Sequence, residues 1–359
     1  MSSFTTISDK VKAGRRISED DALALYGSND LLAIGELAAL ANQRINGRNV
    51  YFNVNRHINP TNICVNRCVF CAFSRTGNEA DAYTLTRDEM VRRAVEARSQ
   101  GATEVHLVGG LHPDLSFEFY LELLSAIRAA APELHIKAFT AVEIDWFAGI
   151  SGQSVQQVLK QLMAAGLGSM PGGGAEILVE EVRQQICPEK ISGRRWLEVH
   201  RLAHQAGLKT NCTMLYGHLE NPADRVRHMA LLRELQDDTA GFQVFIPLAW
   251  QPENSPLKLD VKGTSGLDDL KTLAIGRLFL DNIPHIKAYW VMLGEKIAQV
   301  ALSFGVDDLD GTVVEEKIGH DAGARSPQNL SLERLIRLIR LAGKTPVERD
   351  TLYRPLRSF

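Results

Sequence analysis

The sequence has little cysteine, no long apolar run and no surplus of either charge. Its five cysteines do not have the even spacing of a secreted disulfide protein, because three of them fall within residues 64–71. Residues 1–12 are polar, and no segment approaches the run of about 20 apolar residues that spans a bilayer. These absences predict a cytoplasmic protein with no membrane span.

The charges are nearly balanced, with 40 lysines and arginines against 43 aspartates and glutamates. The formal net charge of −3 leaves no basic surplus to neutralise a phosphate backbone, so a small-molecule substrate is expected and nucleic acid is not. A content of 45% hydrophobic and 23% charged residues is typical of a globular protein with a substantial core. The length of 359 residues fits one large α/β domain with terminal additions.

From residue 49 onward, short β-branched or aromatic runs alternate with amphipathic segments, which predicts βα units around a parallel sheet. Eight runs predict a closed (β/α)8 barrel: 50–55, 104–108, 136–141, 167–170, 209–215, 242–246, 286–291 and a weak run at 303–306. The predicted helices between them include 117–130, 155–165, 196–205, 223–236 and 267–280.

The chain is predicted to have three parts. Residues 1–48 form a helical extension with two helices, of which the first begins after the capping residue Ser18. Residues 49–306 form the barrel core. Residues 307–359 form a C-terminal extension that packs on the barrel and contains a helix at 332–341.

The loop after the first predicted strand carries the spacing Cys64-x3-Cys68-x2-Cys71 in HINPTNICVNRCVFCAFSR. Three thiolates at this spacing can ligate three irons of a cubane cluster and leave the fourth iron open for a chelating ligand. Zinc is one alternative, but it requires a fourth ligand such as His57 or His112 and normally uses other cysteine spacings. Chance is the other alternative.

The cysteine spacing resembles that of the radical S-adenosylmethionine (SAM) superfamily. The resemblance implies a [4Fe–4S] cluster on the three cysteines, with the amino and carboxylate groups of SAM on the open iron and a radical reaction started by SAM cleavage. The protein then orients and shields this chemistry. The resemblance also places Phe70 near the adenine, with ordinary core packing as the alternative. Cys187 and Cys212 are interpreted as small apolar residues.

Candidate SAM contacts follow the predicted strands, because barrel enzymes place their chemistry at the C-terminal ends of strands. By resemblance, Gly109 and Gly110 let the backbone approach the methionine amino group, although a plain turn also favours glycine. The resemblance also implies that Glu176 accepts hydrogen bonds from the ribose, with a helix N-terminus as the alternative. Lys190 is predicted to pair with the methionine carboxylate or to be a solvated surface lysine. Glu143 is a further candidate at the barrel mouth.

Several segments narrow the resemblance to the aminofutalosine synthases of the futalosine route to menaquinone. These segments are NPTNICVNRCVFCAFSR, GGLHPDLSFEFY, FTAVEIDWFA, SMPGGGAEIL, CTMLYGH, FIPLAWQPENSPL and KIGHDAGA. The similarity extends over about residues 17–341. The dehypoxanthine futalosine cyclases and the deazaflavin-forming synthases share the cysteine motif and the glycine-rich loop, whereas NPTN, VEIDWFA and GHDAGA favour the aminofutalosine synthases.

The resemblance implies a transferase that adds the 5′-deoxyadenosyl radical to the enol ether of 3-[(1-carboxyvinyl)oxy]benzoate. Loss of the carboxylate as bicarbonate then gives 6-amino-6-deoxyfutalosine and methionine, so that SAM is consumed. An electron donor such as flavodoxin or ferredoxin is expected. The alternatives are the cyclase reaction, the deazaflavin-forming reaction and, from a different class, a non-catalytic zinc-binding protein.

The two carboxylates of this substrate require cations or helix N-termini in a dry site. Arg75, directly after the cysteine loop, and His218, after the fifth predicted strand, are the candidates for this role. A structural ion pair or a capping contact is the alternative for each. Gln251, after the sixth predicted strand, is predicted to orient the substrate or to hold its own loop.

Overall fold

The structure is a computed structural model that describes residues 3–259 and 263–359. Its helices are α1 Phe4–Lys12, α2 Glu19–Gly27, α3 Leu31–Asn46, α4 Arg87–Ser99, α5 Phe117–Ala130, α6 Ala141–Ser151, α7 Val155–Ala165, α8 Glu180–Ile186, α9 Gly193–Gln205, α10 Pro222–Thr239, α11 Gly266–Phe279, α12 Trp290–Ala301, α13 Ile318–Asp321 and α14 Leu332–Leu341. Its strands are β1 Asn49–Asn53, β2 Asn55–Ile58, β3 Glu104–Leu107, β4 His135–Ala138, β5 Ser169–Met170, β6 Lys209–Tyr216, β7 Phe242–Ala249, β8 His285–Ile286, β9 Asp308–Gly311, β10 Thr345–Arg349 and β11 Pro355–Ser358.

Strands β2 to β8 form a seven-stranded parallel sheet whose spatial order follows the chain order. The sheet curls into a half-barrel, which confirms the predicted α/β class with a parallel barrel. Each successive pair of these strands is separated by at least one helix, as parallel crossovers require. The carboxyl ends of all seven strands therefore lie at the same rim, where the loops that follow them can form a site.

The segment 307–314 bridges the two edges of this sheet. At one edge, the Ala288 N–H donates a hydrogen bond to the Asp308 carbonyl at 2.9 Å. At the other edge, the His57 N–H donates to the Val314 carbonyl at 2.9 Å. The eighth position of the barrel is thus occupied by largely irregular chain that includes the short strand β9.

A second sheet of four strands has the order β11-β10-β1-β9. Strand β1 pairs in parallel with both β10 and β9, whereas β10 and β11 are antiparallel. The Phe52 and Phe359 rings lie 6.0 Å apart across this sheet. The C-terminal extension therefore shares a sheet with a strand from the start of the predicted barrel core.

Two predicted strands of the barrel are wrong in position. The run 50–55 is divided at Val54: residues 50–53 belong to β1 of the four-stranded sheet, and only Asn55 belongs to β2 of the barrel. Residues 303–306 are turn and irregular chain, and the strand begins only at Asp308. Gly305 has a φ of +87°, which lies in the left-handed region, so an extended strand cannot run through this residue.

Two other predicted strands are too long at their C-terminal ends. Of the run 286–291 only Ile286 is in a strand, as the last residue of β8, and α12 begins at Trp290. The run 136–141 ends earlier, because Thr140 caps a helix that begins at Ala141. In each case a helix begins inside the predicted apolar run.

The N-terminal extension contains three helices rather than the predicted two. Helix α1 precedes the pair that the sequence predicts, and its Ile7 and Val11 are buried. The predicted cap of α2 is confirmed, since Ser18 and Asp21 form a reciprocal capping box. The predicted C-terminal helix 332–341 is confirmed as α14. No helix in the two described stretches is long and apolar enough to cross a membrane.

Candidate active site

A cavity of about 290 Å³ lies at the rim formed by the carboxyl ends of the parallel strands. Ten of the twelve predicted site residues line it: Cys64, Cys68, Phe70, Cys71, Gly109, Gly110, Glu143, Glu176, Lys190 and Gln251. The cavity also receives residues from beyond the predicted barrel boundary at 306, including Asp310 and Glu316. The segment that bridges the barrel edges is therefore also part of the cavity wall.

The cysteine loop follows β2 and is held by backbone hydrogen bonds. The Cys64 N–H donates to the Arg75 carbonyl at 3.0 Å, which joins the two ends of the loop. The Cys71 N–H donates to the Cys68 carbonyl at 3.0 Å and forms a tight turn between the second and third cysteines. All three cysteines are free thiols and face the cavity. Among the described residues, no group of three or more His, Cys, Asp or Glu side chains is placed to hold a single metal ion.

The residues of this loop fit a cubane iron–sulfur cluster. Burial raises the pKa of the Cys68 thiol to about 12 and also raises that of Cys64. Such thiols stay protonated at neutral pH unless a metal replaces the proton, as iron does when thiolates ligate it. Three thiolate donors on one short loop match the ligand set of a cubane that keeps one open iron.

Gly110 packs directly against the cysteine loop. A Cβ at this position would stand 2.2 Å from the Ile63 carbonyl oxygen and 3.1 Å from the Cys64 Cβ. The Gly110 N–H also donates to the Thr61 carbonyl at 2.9 Å. The close approach of two backbone segments therefore requires glycine here, in addition to any approach of the backbone to SAM.

Glu143 places a buried carboxylate beside the glycine turn. It is the third residue of α6 and forms a capping box with Thr140, whose N–H donates to it at 2.7 Å. The Gly109 N–H donates to its other oxygen at 3.2 Å. Burial raises the pKa of Glu143 to about 7, against the opposing effect of these hydrogen bonds. A cationic ligand group at this point of the cavity would favour the ionised carboxylate.

Glu176 and Lys190 form an ion pair next to the cysteine loop. Their side chains are only 11% and 15% exposed, respectively, and the Lys190 ammonium lies 5.2 Å from the centroid of the Phe70 ring. Burial raises the pKa of Glu176, but the Lys190 charge outweighs it and the net pKa is lowered. A solvated surface position for Lys190 is therefore wrong. A helix N-terminus for Glu176 is also wrong, because α8 begins only at Glu180.

Arg75 does not line the cavity. Its guanidinium pairs with Asp81 at 2.8 Å and donates to the Ala72 carbonyl at 2.7 Å. It lies in a separate cleft on the outer side of the cysteine loop. This geometry agrees with the alternative interpretation of Arg75 as part of a structural ion pair. It does not support a contact between Arg75 and the substrate.

His218 also lies outside the cavity lining, and both of its ring nitrogens are used. The Nδ1 atom accepts a hydrogen bond from the Leu219 N–H at 2.7 Å, and Nε2 lies 3.1 Å from the Leu215 carbonyl. Burial lowers the pKa of this ring. A neutral imidazole with both nitrogens occupied does not support the predicted carboxylate contact. Gln251 lines the cavity, and its amide donates to the Ala249 carbonyl at 2.9 Å, which holds its own loop.

Comparison with known proteins places the chain in a family. Residues 58–232 match the radical SAM superfamily, and residues 239–358 match the CofH/MqnC C-terminal region. The aminodeoxyfutalosine synthase of Streptomyces coelicolor is 48% identical over 98% of this chain and 94% of that protein. The chain belongs to the radical SAM superfamily. The predicted cofactors, a [4Fe–4S] cluster and SAM, are confirmed because this superfamily uses both.

Other relatives of this radical SAM enzyme carry two different names. The aminodeoxyfutalosine synthase of Thermus thermophilus is 47% identical over 98% of this chain and 95% of that protein. The 5-amino-6-(D-ribitylamino)uracil–L-tyrosine 4-hydroxyphenyl transferase of Methanopyrus kandleri is 44% identical over 96% of this chain and 94% of that protein. All three relatives therefore match the chain over nearly its whole length.

Two solved structures share the fold of this radical SAM enzyme. The FeFe-hydrogenase maturase HydG from Carboxydothermus hydrogenoformans aligns with a TM-score of 0.77 at 19% identity, over 98% of this chain and 80% of that chain. Methylornithine synthase (PylB) aligns with a TM-score of 0.73 at 18% identity, over 95% of this chain and 97% of that chain. At such identities the likeness concerns the fold alone.

The sequence did not predict the polar group inside the barrel of this radical SAM enzyme, and of its members only His57 was considered, as a possible zinc ligand. Its members that line the cavity are His57, His106, Lys137, Lys287 and Asp310. A signal for three of them was present, because NRHI, EVHL and HIKA each place a basic or imidazole side chain at the third position of a short buried strand. Only the strand register shows that these three positions are neighbours.

Proposed function

We propose that this protein is an aminodeoxyfutalosine synthase of menaquinone biosynthesis. The reaction joins the 5′ carbon of SAM to the enol-ether carbon of 3-[(1-carboxyvinyl)oxy]benzoate as the S–C5′ bond breaks. Methionine leaves, rearrangement follows, and the enol carboxylate departs at the level of CO2, which takes up water to form bicarbonate. The initiating electron is released in the same step, and the closed-shell product is 6-amino-6-deoxyfutalosine. A cytoplasmic electron donor of the flavodoxin or ferredoxin class supplies the reducing equivalent.

The observation that carries this proposal is the identity of 48% and 47% to two bacterial aminodeoxyfutalosine synthases over 98% of the chain. The cavity is consistent with it, because its lining also contains apolar side chains such as Ile246, Leu248 and Met292. Apolar walls shield a reactive carbon-centred species from water and accept an aromatic ring.

Different residues of the cavity would bind the cluster and the separate groups of SAM. Cys64, Cys68 and Cys71 would hold the cluster, which when bound supplies the electron that cleaves SAM. The Glu143 carboxylate beside Gly109 suits the cationic amino group of the methionine moiety.

The Glu176 carboxylate suits the ribose hydroxyl groups, since an ionised acceptor strengthens such hydrogen bonds. Lys190 keeps that carboxylate ionised and leaves further N–H groups for the methionine carboxylate. These contacts would hold SAM beside the cysteine loop in a cavity whose lining also contains apolar side chains.

The test is anaerobic incubation of the reduced, reconstituted enzyme with SAM labelled at the 5′ carbon and with the enol-ether substrate. The label is expected in 6-amino-6-deoxyfutalosine, with methionine formed in equal amount. Release of all label as 5′-deoxyadenosine would contradict adenosyl transfer and would instead match hydrogen abstraction, as in the cyclase reaction. Zinc without iron or sulfide in the anaerobically purified protein would contradict the enzyme altogether.

A second candidate follows from the relative in Methanopyrus kandleri, which is 44% identical over 96% of the chain and is named for 4-hydroxyphenyl transfer from tyrosine. The two candidates differ in both substrates. Incubation with L-tyrosine and 5-amino-6-(D-ribitylamino)uracil is expected to give no coupled product. A coupled product there, together with inactivity on the enol ether, would favour the second candidate.

A further inference from the structure

The inner wall of the barrel carries a row of three basic or imidazole side chains. In the parallel register His57 pairs with His106, and His106 pairs with Lys137. Residues in register on neighbouring parallel strands point to the same face of the sheet. All three line the cavity, and each stands one residue before the end of its strand. The row therefore lies deeper in the barrel than the loops that follow the strands.

The two imidazole rings of this row lack hydrogen-bond partners. Within residues 3–259 and 263–359 neither ring makes a hydrogen bond, and the Nε2 atoms of His57 and His106 are both shielded from solvent. The ring centroids lie 4.6 Å apart. A buried polar atom without a partner costs about 1–3 kcal/mol, so two neighbouring ones in side chains that line a cavity point to a ligand as the missing partner of these rings.

Two lysines add N–H groups to the same part of the cavity. Lys137 Nζ lies 2.6 Å from a Glu104 oxygen, and Lys287 Nζ lies 2.9 Å from an Asp310 oxygen. Each ammonium has three N–H groups, so one partner leaves donors for a ligand. The acids already balance the two lysines. Attraction for a ligand therefore comes from convergent donors rather than from a net positive charge.

We propose that His57, His106 and Lys137, with Lys287 beside them, bind a carboxylate of an aromatic co-substrate. This inference rests on the proposed function and assigns the carboxylate on the benzoate ring to the row. The ring carboxylate is the one remote from the reacting double bond. With it held inside the barrel, the enol ether points towards the rim, where the cysteine loop lies. Charge-assisted hydrogen bonds to imidazole and ammonium donors fix the ring in place.

The variants His57→Phe and His106→Phe test the row, because phenylalanine keeps the ring shape and removes the nitrogens. Each variant is expected to be at least as stable as the wild type without ligand, since an unpartnered buried nitrogen is lost. Each should bind 3-hydroxybenzoate, the ring half of the substrate, at least tenfold more weakly in equilibrium dialysis with the reconstituted holoenzyme and SAM. A purely structural role of the two histidines predicts instead that the variants are less stable and bind 3-hydroxybenzoate as the wild type does.

Removal of Lys137 alone leaves Glu104 buried without its cation, so Lys137→Met is combined with Glu104→Gln. The double variant is expected to show the same loss of 3-hydroxybenzoate binding. Lys160→Met is the matched control, because Lys160 lies exposed on α7 and outside the cavity. Unchanged affinity in all the row variants would overturn the proposal, whether or not the wild type turns over the enol ether.

The orientation is tested with (1-carboxyvinyl)oxybenzene, which lacks the ring carboxylate. The row variants should bind this analogue as the wild type does, while their affinity for the full substrate falls at least tenfold. Equal losses for both compounds would place the enol carboxylate on the row and overturn the orientation. A wild type that binds 3-hydroxybenzoate through the row but makes no adduct would refute the proposed function and leave the carboxylate site standing.

Discussion

Lys190 determines the charge of the cavity wall beside the cysteine loop. It pairs with Glu176, and its ammonium lies 5.2 Å from the centroid of the Phe70 ring. Glu176 itself has a φ of 46°, in the left-handed region that a residue with a side chain adopts at a cost. The surrounding contacts therefore hold an acidic residue in a strained backbone position at the cavity wall.

Lys190→Met is expected to lower the free energy of unfolding by about 2 kcal/mol, because it leaves the largely buried Glu176 carboxylate without its cation. The slight exposure of both side chains keeps the loss below that of a fully buried pair. Chemical denaturation of the variant measures this change, with Lys160→Met as an exposed control. Addition of Glu176→Gln should restore part of the loss, and a double variant less stable than Lys190→Met alone would contradict the explanation.

His320 is a second residue with a defined charge state. Its Nδ1 atom lies 3.1 Å from a Glu316 carboxylate oxygen and 2.7 Å from the Glu316 carbonyl, and its Nε2 atom lies 3.2 Å from the Ser326 carbonyl. Both nitrogens thus face acceptors, which requires the doubly protonated ring. The hydrogen bond to Glu316 is the main cause that raises the pKa of His320 to about 9.

This raised pKa predicts a loss of stability at alkaline pH. The stabilisation is complete below the unfolded-state pKa of 6.5 and decreases as pH rises towards about 9, where the folded protein releases the proton. We expect a decrease of about 1 kcal/mol after allowance for solvent screening, because the group is only partly buried. Denaturation of wild type and His320→Gln at pH 6 and pH 9.5 measures it. An equal pH dependence in both proteins would exclude His320 as the cause.

At the scale of elements, the loop after β3 packs against the cysteine loop at Gly110. The Cβ of any other residue would meet the Ile63 carbonyl at 2.2 Å, so one backbone segment must move. A shift here displaces Cys64, whose Cβ lies within the same contact.

Gly110→Ala is therefore expected to reduce the iron and sulfide content after anaerobic reconstitution by at least half, because the cysteine loop loses its position. Gly149→Ala is the matched control, since a Cβ there meets nothing within 4 Å. In helix α6 that change should stabilise the protein by about 0.5–1 kcal/mol. Iron analysis and the visible spectrum report the first effect. Full cluster content in Gly110→Ala would show that the contact is dispensable.

The parts that the sequence predicts well are local in the chain. The cysteine loop, the glycine turn and the capped helices each depend on residues close in sequence, and the structure contains them. The substrate candidates Arg75 and His218 failed to reach the cavity because nearby partners, Asp81 and the Leu215 carbonyl, engage them first. The row of His57, His106 and Lys137 is visible only when the strands are in register.

At the scale of the molecule, Arg349 connects the four-stranded sheet to the segment 307–314, which bridges the two edges of the barrel sheet. It lies on β10 and donates to the Asp308 carboxylate of β9 at 2.7 Å, where both side chains are almost fully buried. Asp308 is also 3.8 Å from Lys287, which lines the cavity. The C-terminal extension thus contributes charge to the inner end of the site.

Arg349→Met is expected to lower the free energy of unfolding by about 3–5 kcal/mol, because it leaves a buried carboxylate without its main partner. Arg354→Met is the matched control, since Arg354 pairs with Asp350 but its side chain is 74% exposed. Loss of this exposed pair should cost less than about 1 kcal/mol. Denaturant titration of the two variants measures the difference, and similar losses in both would contradict the buried link.

The pairing of β1 with β10 also sets an order of events during synthesis. About 290 residues separate Asn53 from Thr345, so at about 5–20 residues per second roughly 15–60 s pass before the ribosome supplies the partner strand. Throughout this time the nascent chain carries an open β edge, which can pair with other chains. Yield in the cell should therefore be limited by aggregation of nascent chains, and it should increase when chaperones that bind emerging polypeptides are abundant.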